Sequence, residues 1–256
     1  MVVALENKKR SKRFLVIILV SILGGLILGV SERFYEENSL AETSSEEIQN
    51  NEIAENDNDN DNNVILPWYL TLVNYENYLP ANYIPERLTE VDNGYEADDR
   101  IASATKQMIA DARKENVRII ALSAFRDYEY QKKLYEEKAQ KLMKENNYSQ
   151  DEAYKEAVKV VAYPGTSEHQ LGLALDLVDA RYTKLDESQE NTKAYKWLYE
   201  HCHEYGFIVR YPNGKTDITG IIYEPWHFRY VGKDAAEFIM KEDITLEEYL
   251  NRYYSE

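Results

Sequence analysis

The stretch from Glu36 to Asn63 limits what this chain can fold into, because it is dominated by Glu, Asp, Asn and Ser and ends in Asn56-Asp57-Asn58-Asp59-Asn60-Asp61-Asn62-Asn63. No lysine or arginine occurs between Arg33 and Arg87. Such a segment has too little apolar surface to offset the entropy of ordering, so it is expected to be a solvated, self-repelling tether. The Asp/Asn alternation resembles a calcium loop only superficially, since it lacks the central glycine and terminal glutamate of an EF-hand. A folded domain is therefore sought in residues 64–256, with residues 31–63 as linker.

The other side of the linker has a different character. Lys8, Lys9, Arg10, Lys12 and Arg13, within a basic segment 1–13, precede an apolar or small run from Phe14 to Val30. That run is near the lower limit of about 17 residues for spanning a bilayer. The basic flank predicts a single-pass anchor at 14–30 with its amino terminus in the cytoplasm and the remainder outside the cell membrane. A cleaved signal peptide is the competing reading, but Leu28-Gly29-Val30-Ser31-Glu32 offers no clear small-x-small cleavage site.

Charge and cysteine content narrow the function classes. The chain carries a net charge of -16, of which residues 64–256 retain -10 after the basic amino terminus and acidic linker are set aside. No basic stripe for nucleic acid is present. Cys202 is the only cysteine, so the domain contains no intramolecular disulfide and must rely on its core. About 190 residues suffice for one.

Periodicity predicts an α+β domain in which helices pack on a small, mainly antiparallel sheet. Residues 64–73 and the Leu79-Pro80 and Ile84-Pro85 steps read as irregular, extended chain. Helices are expected over 98–116 and 127–146, and a third follows the Ser149-x-x-Glu152 capping signal to about Val161. A further helix over 192–205 is expected to stop at Gly206, with two more at 235–240 and 246–253. Strands are expected at 117–123 and 173–178, and at 207–211 and 221–230 around the Asn213-Gly214 turn.

Two segments carry the chemistry: Ser167 to Asp176, and Glu224-Pro225-Trp226-His227. His169, Asp176 and His227 could hold zinc with one position open to water, an arrangement typical of catalytic sites, leaving Glu224 as a base. His169 and Asp176 are seven apart and fall on opposite faces of a regular strand. Gly172 allows a turn that folds the histidine back over a strand bearing the aspartate. Pro225 argues against a helical metal motif, so Glu224 and His227 are expected at a strand end or bend. Any one such His or Asp, taken singly, is more often a hydrogen-bonded structural group than a ligand. Arg126 could serve a cleft or an ordinary ion pair, and Trp226 could line a pocket or pack in the core. His201 and His203 flank Cys202 two residues apart on a helix, so they do not share a face, and they read as surface histidines beside a partly buried thiol.

Taken in order, these segments resemble the VanY-type zinc D-alanyl-D-alanine carboxypeptidases, with the related LD-carboxypeptidases and peptidoglycan endopeptidases. The resemblance covers roughly residues 70–235. It runs through Ser123 to Gln131, Pro164 to His169, Gly172-x-Ala174-x-Asp176, Gly206 to Pro212 and Glu224 to Gly232. It implies Zn2+ on His169, Asp176 and His227, Glu224 as catalytic base, Arg126 on the substrate carboxylate or scissile carbonyl, and Gln131 and Ser167 lining the peptide site. The implied activity removes the terminal D-Ala from a peptidoglycan stem peptide. LD-carboxypeptidase, endopeptidase and non-enzymatic peptidoglycan-binding scaffold are the alternatives. Where the family usually has Ser-Gly-Tyr-Arg-Ser, this chain has Ser123-Ala124-Phe125-Arg126-Asp127. Arg126 is retained, while Ala124, Phe125 and Asp127 change the substrate side.

Overall fold

A computed structural model describes residues 66–255. The expected anchor and linker lie outside these residues. Among the described residues no helix is long and apolar enough to cross a membrane.

The chain enters through a 3-10 turn at Trp68–Leu70 and irregular backbone, then forms a hairpin of β1 (Leu88–Asp92) and β2 (Tyr95–Asp98). This hairpin was not anticipated, although Asn93-Gly94 carries its signal. Both residues have positive φ, 54° and 79°, as a two-residue turn matched to strand twist requires. Helix α1 (Asp99–Lys114) follows, capped by the Asp98 carboxylate on the Arg100 N–H, and it buries Ile101, Met108, Ile109 and Ala112. The chain continues through β3 (Ile119–Ser123), α2 (Tyr128–Asn146) and α3 (Gln150–Ala157). Ser149 and Glu152 form the expected capping box of α3, which ends at Ala157 rather than Val161.

The remaining elements are β4 (Ala174–Asp179), α4 (Lys193–His201), β5 (Phe207–Val209), α5 (Thr216–Thr219), β6 (His227–Tyr230), α6 (Lys233–Glu242) and α7 (Leu246–Tyr254). The helix expected over 192–205 tightens to a 3-10 turn at Cys202–Tyr205, before Gly206. The expected strands over 207–211 and 221–230 are shorter. The Asn213-Gly214 step is followed by α5 rather than by direct hairpin closure, and Glu224-Pro225 bends the chain before β6 begins.

Strands β3, β4, β6 and β5 pair in that order, all antiparallel. Alternation of side chains then gives the sheet two buried faces. Leu175, Phe228 and Val209 are register neighbours and join α1 and α4 side chains in the main core. On the opposite face Ile208, Arg229 and Ala174 are neighbours, with Asp176 opposite His227 two residues along. Ile208 packs there with Ala235, Ile239 and Leu246 of α6 and α7. Helices α2 and α3 close a smaller cluster around Tyr135, Ala139, Ala153 and Ala157. The free edge of β3 is covered by the hairpin, since the Ala121 N–H donates to Asp92 (2.9 Å) and the Phe125 N–H to the Glu96 carbonyl (2.7 Å).

Candidate metal centre

Asp176 and His227 lie directly opposite each other on the two central strands, so the sheet itself puts their side chains on one face. His169 arrives from a 3-10 turn, Glu168–Leu171, that ends at Gly172 with φ of 70°. A side chain at Gly172 would fail twice. It would sit in the left-handed region, and its Cβ would lie 2.9 Å from the Asp98 nitrogen. The turn thus folds His169 back over β4, as the sequence spacing required.

Glu224 and His227 converge through a β-turn. The His227 N–H donates to the Glu224 carbonyl (3.1 Å), with Pro225 at the position where its fixed φ favours the turn. All four side chains are buried.

The ligand atoms fit a divalent cation of zinc type. His169 Nε2 is 3.3 Å, and His227 Nδ1 3.4 Å, from Asp176 Oδ1. Donors about 2.0–2.2 Å from a tetrahedral ion stand roughly 3.3–3.6 Å apart. One ligand atom from each residue lies within 4.8 Å of the other two. His169 Nε2 and Asp176 Oδ1 are buried without hydrogen-bond partners, a costly arrangement that a cation would relieve. The Ala124 carbonyl lies 2.6 Å from His169 Nδ1 and accepts its proton, leaving the Nε2 lone pair for the metal.

The electrostatics differ from residue to residue. Burial, reinforced by Arg126, pushes the His169 imidazole down to about 4. Burial works against the charged form of Asp176 too, but the two histidines outweigh it and hold the carboxylate well below its usual range. Burial also opposes His227 protonation, yet the carboxylates of Asp176 and Glu168 raise that imidazole to about 9. Glu224 Oε2 is 3.6 Å from His227 Nδ1, and burial drives the Glu224 carboxyl up to about 8. A divalent charge beside it favours the ionised form.

Arg126 lies in the loop between β3 and α2, its own N–H donating to the His169 carbonyl (3.2 Å) while its side-chain Nε is buried without a hydrogen-bond partner. Gln131, buried on the first turn of α2, donates its amide to the Ala162 carbonyl (2.6 Å) and keeps Oε1 unpartnered. Ser167 is buried just before the 3-10 turn and does not cap it with its hydroxyl. Trp226 is 7 % exposed within the Glu224–His227 turn. Asp127, part of the departure from the family pattern, caps α2 by accepting from the Tyr130 N–H (2.7 Å). Serine and aspartate are comparable caps, so the exchange preserves the helix start that follows Arg126.

Cys202 is fully buried rather than partly so. His201 pairs with Glu204 (2.9 Å) and lies against Trp197 with ring centroids 4.8 Å apart and planes tilted by 38°, while His203 is half-buried. Neither belongs to the metal cluster. Sequence reasoning missed a group of charges behind the site: the fully buried Glu168, Arg210 and Arg229, with the partly exposed Glu247 beside them. Arg229 follows His227 by two on the same strand, which was the available signal.

Comparison with known proteins agrees with this geometry. The family model VanY, described as D-alanyl-D-alanine carboxypeptidase, matches residues 95–233. A D-alanyl-D-alanine carboxypeptidase of Enterococcus faecalis is 43 % identical over 185 residues, covering 72 % of this chain and 66 % of that protein. The chain thus spans just under two thirds of that relative's length. A vancomycin resistance D,D-pentapeptidase VanY solved in complex with Zn(II) superposes with a TM-score of 0.65 at 40 % identity, covering 72 % of this chain and all of that one. The LdcB LD-carboxypeptidase superposes at 0.62 with 38 % identity, covering 70 % and 84 %.

Proposed function

This chain belongs to the VanY D-alanyl-D-alanine carboxypeptidase family, and from that premise we propose that it is a zinc metallopeptidase that removes the terminal D-Ala from peptidoglycan stem peptides. The observation that carries the reading is the buried convergence of His169, Asp176 and His227 with the Glu224 carboxyl beside them.

Those three residues would hold the ion. Zinc bound there supplies Lewis acidity toward the amide carbonyl and makes water acidic near neutral pH. Glu224 accepts the proton of the attacking water and returns it to the departing amine. Arg126 offers a planar guanidinium to the substrate's terminal carboxylate or to charge developing on the carbonyl oxygen. Gln131 Oε1 is free to accept from a substrate N–H, and Ser167 and Trp226 border the peptide path.

Defined stem peptides test the assignment on the purified full chain. D-Ala release from the pentapeptide is expected, abolished by chelation and reduced about 10²–10⁴-fold in Glu224→Ala. Trimming of the tetrapeptide alone would replace this reading with LD-carboxypeptidase activity, which the likeness to LdcB supports.

The basic and apolar segments at 1–30 and the acidic linker at 31–63 support a location outside the membrane, tethered to it. Cell fractionation with and without residues 1–30 tests this, and recovery of both forms in the soluble fraction would exclude an anchor.

A further inference from the structure

We infer that Glu168 is a positioning residue for the metal ligand His227, held in place by a buried ion network that reaches the carboxy-terminal helix. The inference rests on the zinc reading above and extends it to a residue that touches neither substrate nor metal.

One carboxylate oxygen of Glu168 is fully committed. Oε1 accepts from Arg210 Nε (2.8 Å) and Arg229 Nη1 (2.7 Å). The other, Oε2, is buried with no hydrogen-bond partner and lies 3.7 Å from His227 Nε2, itself buried and unpartnered. Two complementary orphans facing each other in a dry interior define a contact that a small rotation of the ring completes. A proton on Nε2, directed at Glu168, leaves the lone pair on Nδ1, the nitrogen that faces Asp176 Oδ1 at 3.4 Å. A metal-binding imidazole whose second nitrogen donates to a carboxylate is fixed in tautomer and orientation and is a stronger ligand.

The network accounts for a charge that burial would otherwise exclude. Arg229, fixed also on the Tyr69 (3.0 Å) and Thr71 (2.8 Å) carbonyls, and Arg210 are both fully buried beside Glu168. Two arginines against one carboxylate would leave an uncompensated positive charge. Glu247 on α7 balances it, accepting from Arg210 Nη1 (2.9 Å) and Nη2 (2.6 Å). Glu247 lies beyond the residues matched by the family model, which end at 233. The segment after the family domain is therefore wired to a metal ligand.

The two zinc histidines are then of opposite tautomer, and this is readable without mutation. In zinc-loaded full chain labelled with 15N-histidine, a long-range 1H–15N spectrum is expected to show His169 protonated on Nδ1 and His227 protonated on Nε2. A proton on His227 Nδ1 would overturn the inference, and so would failure of the parent to take up zinc, which alone overturns the metal reading as well. Glu168→Gln provides the second arm. Its single amide oxygen is claimed by the arginines, so its NH2 group is turned on the His227 donor. Competition with a chromogenic chelator is expected to give zinc affinity about 10–100-fold weaker. Glu247→Gln, which cuts the network away from His227, is expected to lose less than about tenfold even where it lowers stability as much. Equal losses that track stability in both variants would reduce the network to a structural role and overturn the proposal.

Discussion

Gly172 shows how much of the site depends on single backbone positions. Its φ of 70° and the 2.9 Å approach of the Asp98 nitrogen leave no room for a side chain. Asp98 is held there from several directions: its N–H donates to the Gly172 carbonyl (3.0 Å), and its carboxylate caps α1 and pairs with Arg100. Gly172→Ala is expected to destabilise the domain by about 1–3 kcal/mol through left-handed strain, with some of the misfit relieved by moving His169. Chemical denaturation and zinc titration read the two effects separately, and a variant with parental stability and zinc affinity would show that the turn is not constrained. The departures at Ala124, Phe125 and Asp127 have physical places at the same scale. Ala124 lends its carbonyl to His169, Phe125 ties its N–H to β2, and Asp127 caps α2. Each supports the loop that carries Arg126.

Among the elements, α1 is tied to the turn after α4 by Asp111, which accepts from Lys114, Gln107 and Tyr205. Those hydrogen bonds lower the Asp111 carboxyl from 3.8 to about 2. The folded state binds that proton more weakly than the unfolded chain, so the stabilisation is complete above pH 3.8 and fades as the pH falls toward 2. Asp111→Asn is expected to be less stable than the parent at neutral pH and to converge with it near pH 2 in urea melts. A constant difference across that range would show that the carboxylate's charge is irrelevant. Elements with local signals were legible: α1 from its apolar stripe, α3 from Ser149 and Glu152, and the Gly206 stop. Strand β6 was overextended because Ile221 to Tyr223 reads as apolar and aromatic, while Pro225 turns the chain before His227. The hairpin β1–β2 was passed over because its strands are only 5 and 4 residues long and carry few apolar side chains, leaving Asn93-Gly94 as the main signal. Strand order β3-β4-β6-β5 is set by pairing between distant segments and leaves no local mark. The metal residues were legible as chemistry and spacing. Glu168, Arg210, Arg229 and Glu247 were not, since charged residues read as surface until tertiary structure shows that they neutralise one another.

At the scale of the whole molecule, the metal is expected to be a structural clamp as well as a cofactor. Its three ligands come from the turn at Glu168–Leu171, from β4 and from β6, and His169 and His227 are far apart in sequence. An unfolded chain does not hold them within 4.8 Å of one another, so zinc binds the folded state and stabilises it by mass action. At a hundredfold excess over Kd the gain is about 2.7 kcal/mol. For a domain of this size each kcal/mol moves Tm by about 2–4 °C, so chelation is expected to lower the melting temperature by roughly 5–10 °C. The variants separate clamp from chemistry. Asp176→Asn removes a ligand and should erase the zinc-dependent shift, whereas Glu224→Gln should keep it while losing hydrolysis, because the proposed role of Glu224 is to act on water and it is not among the clustered ligands. A melting temperature indifferent to chelator in the parent, or a shift that survives in Asp176→Asn, would mean that the ion is not held across the two central strands.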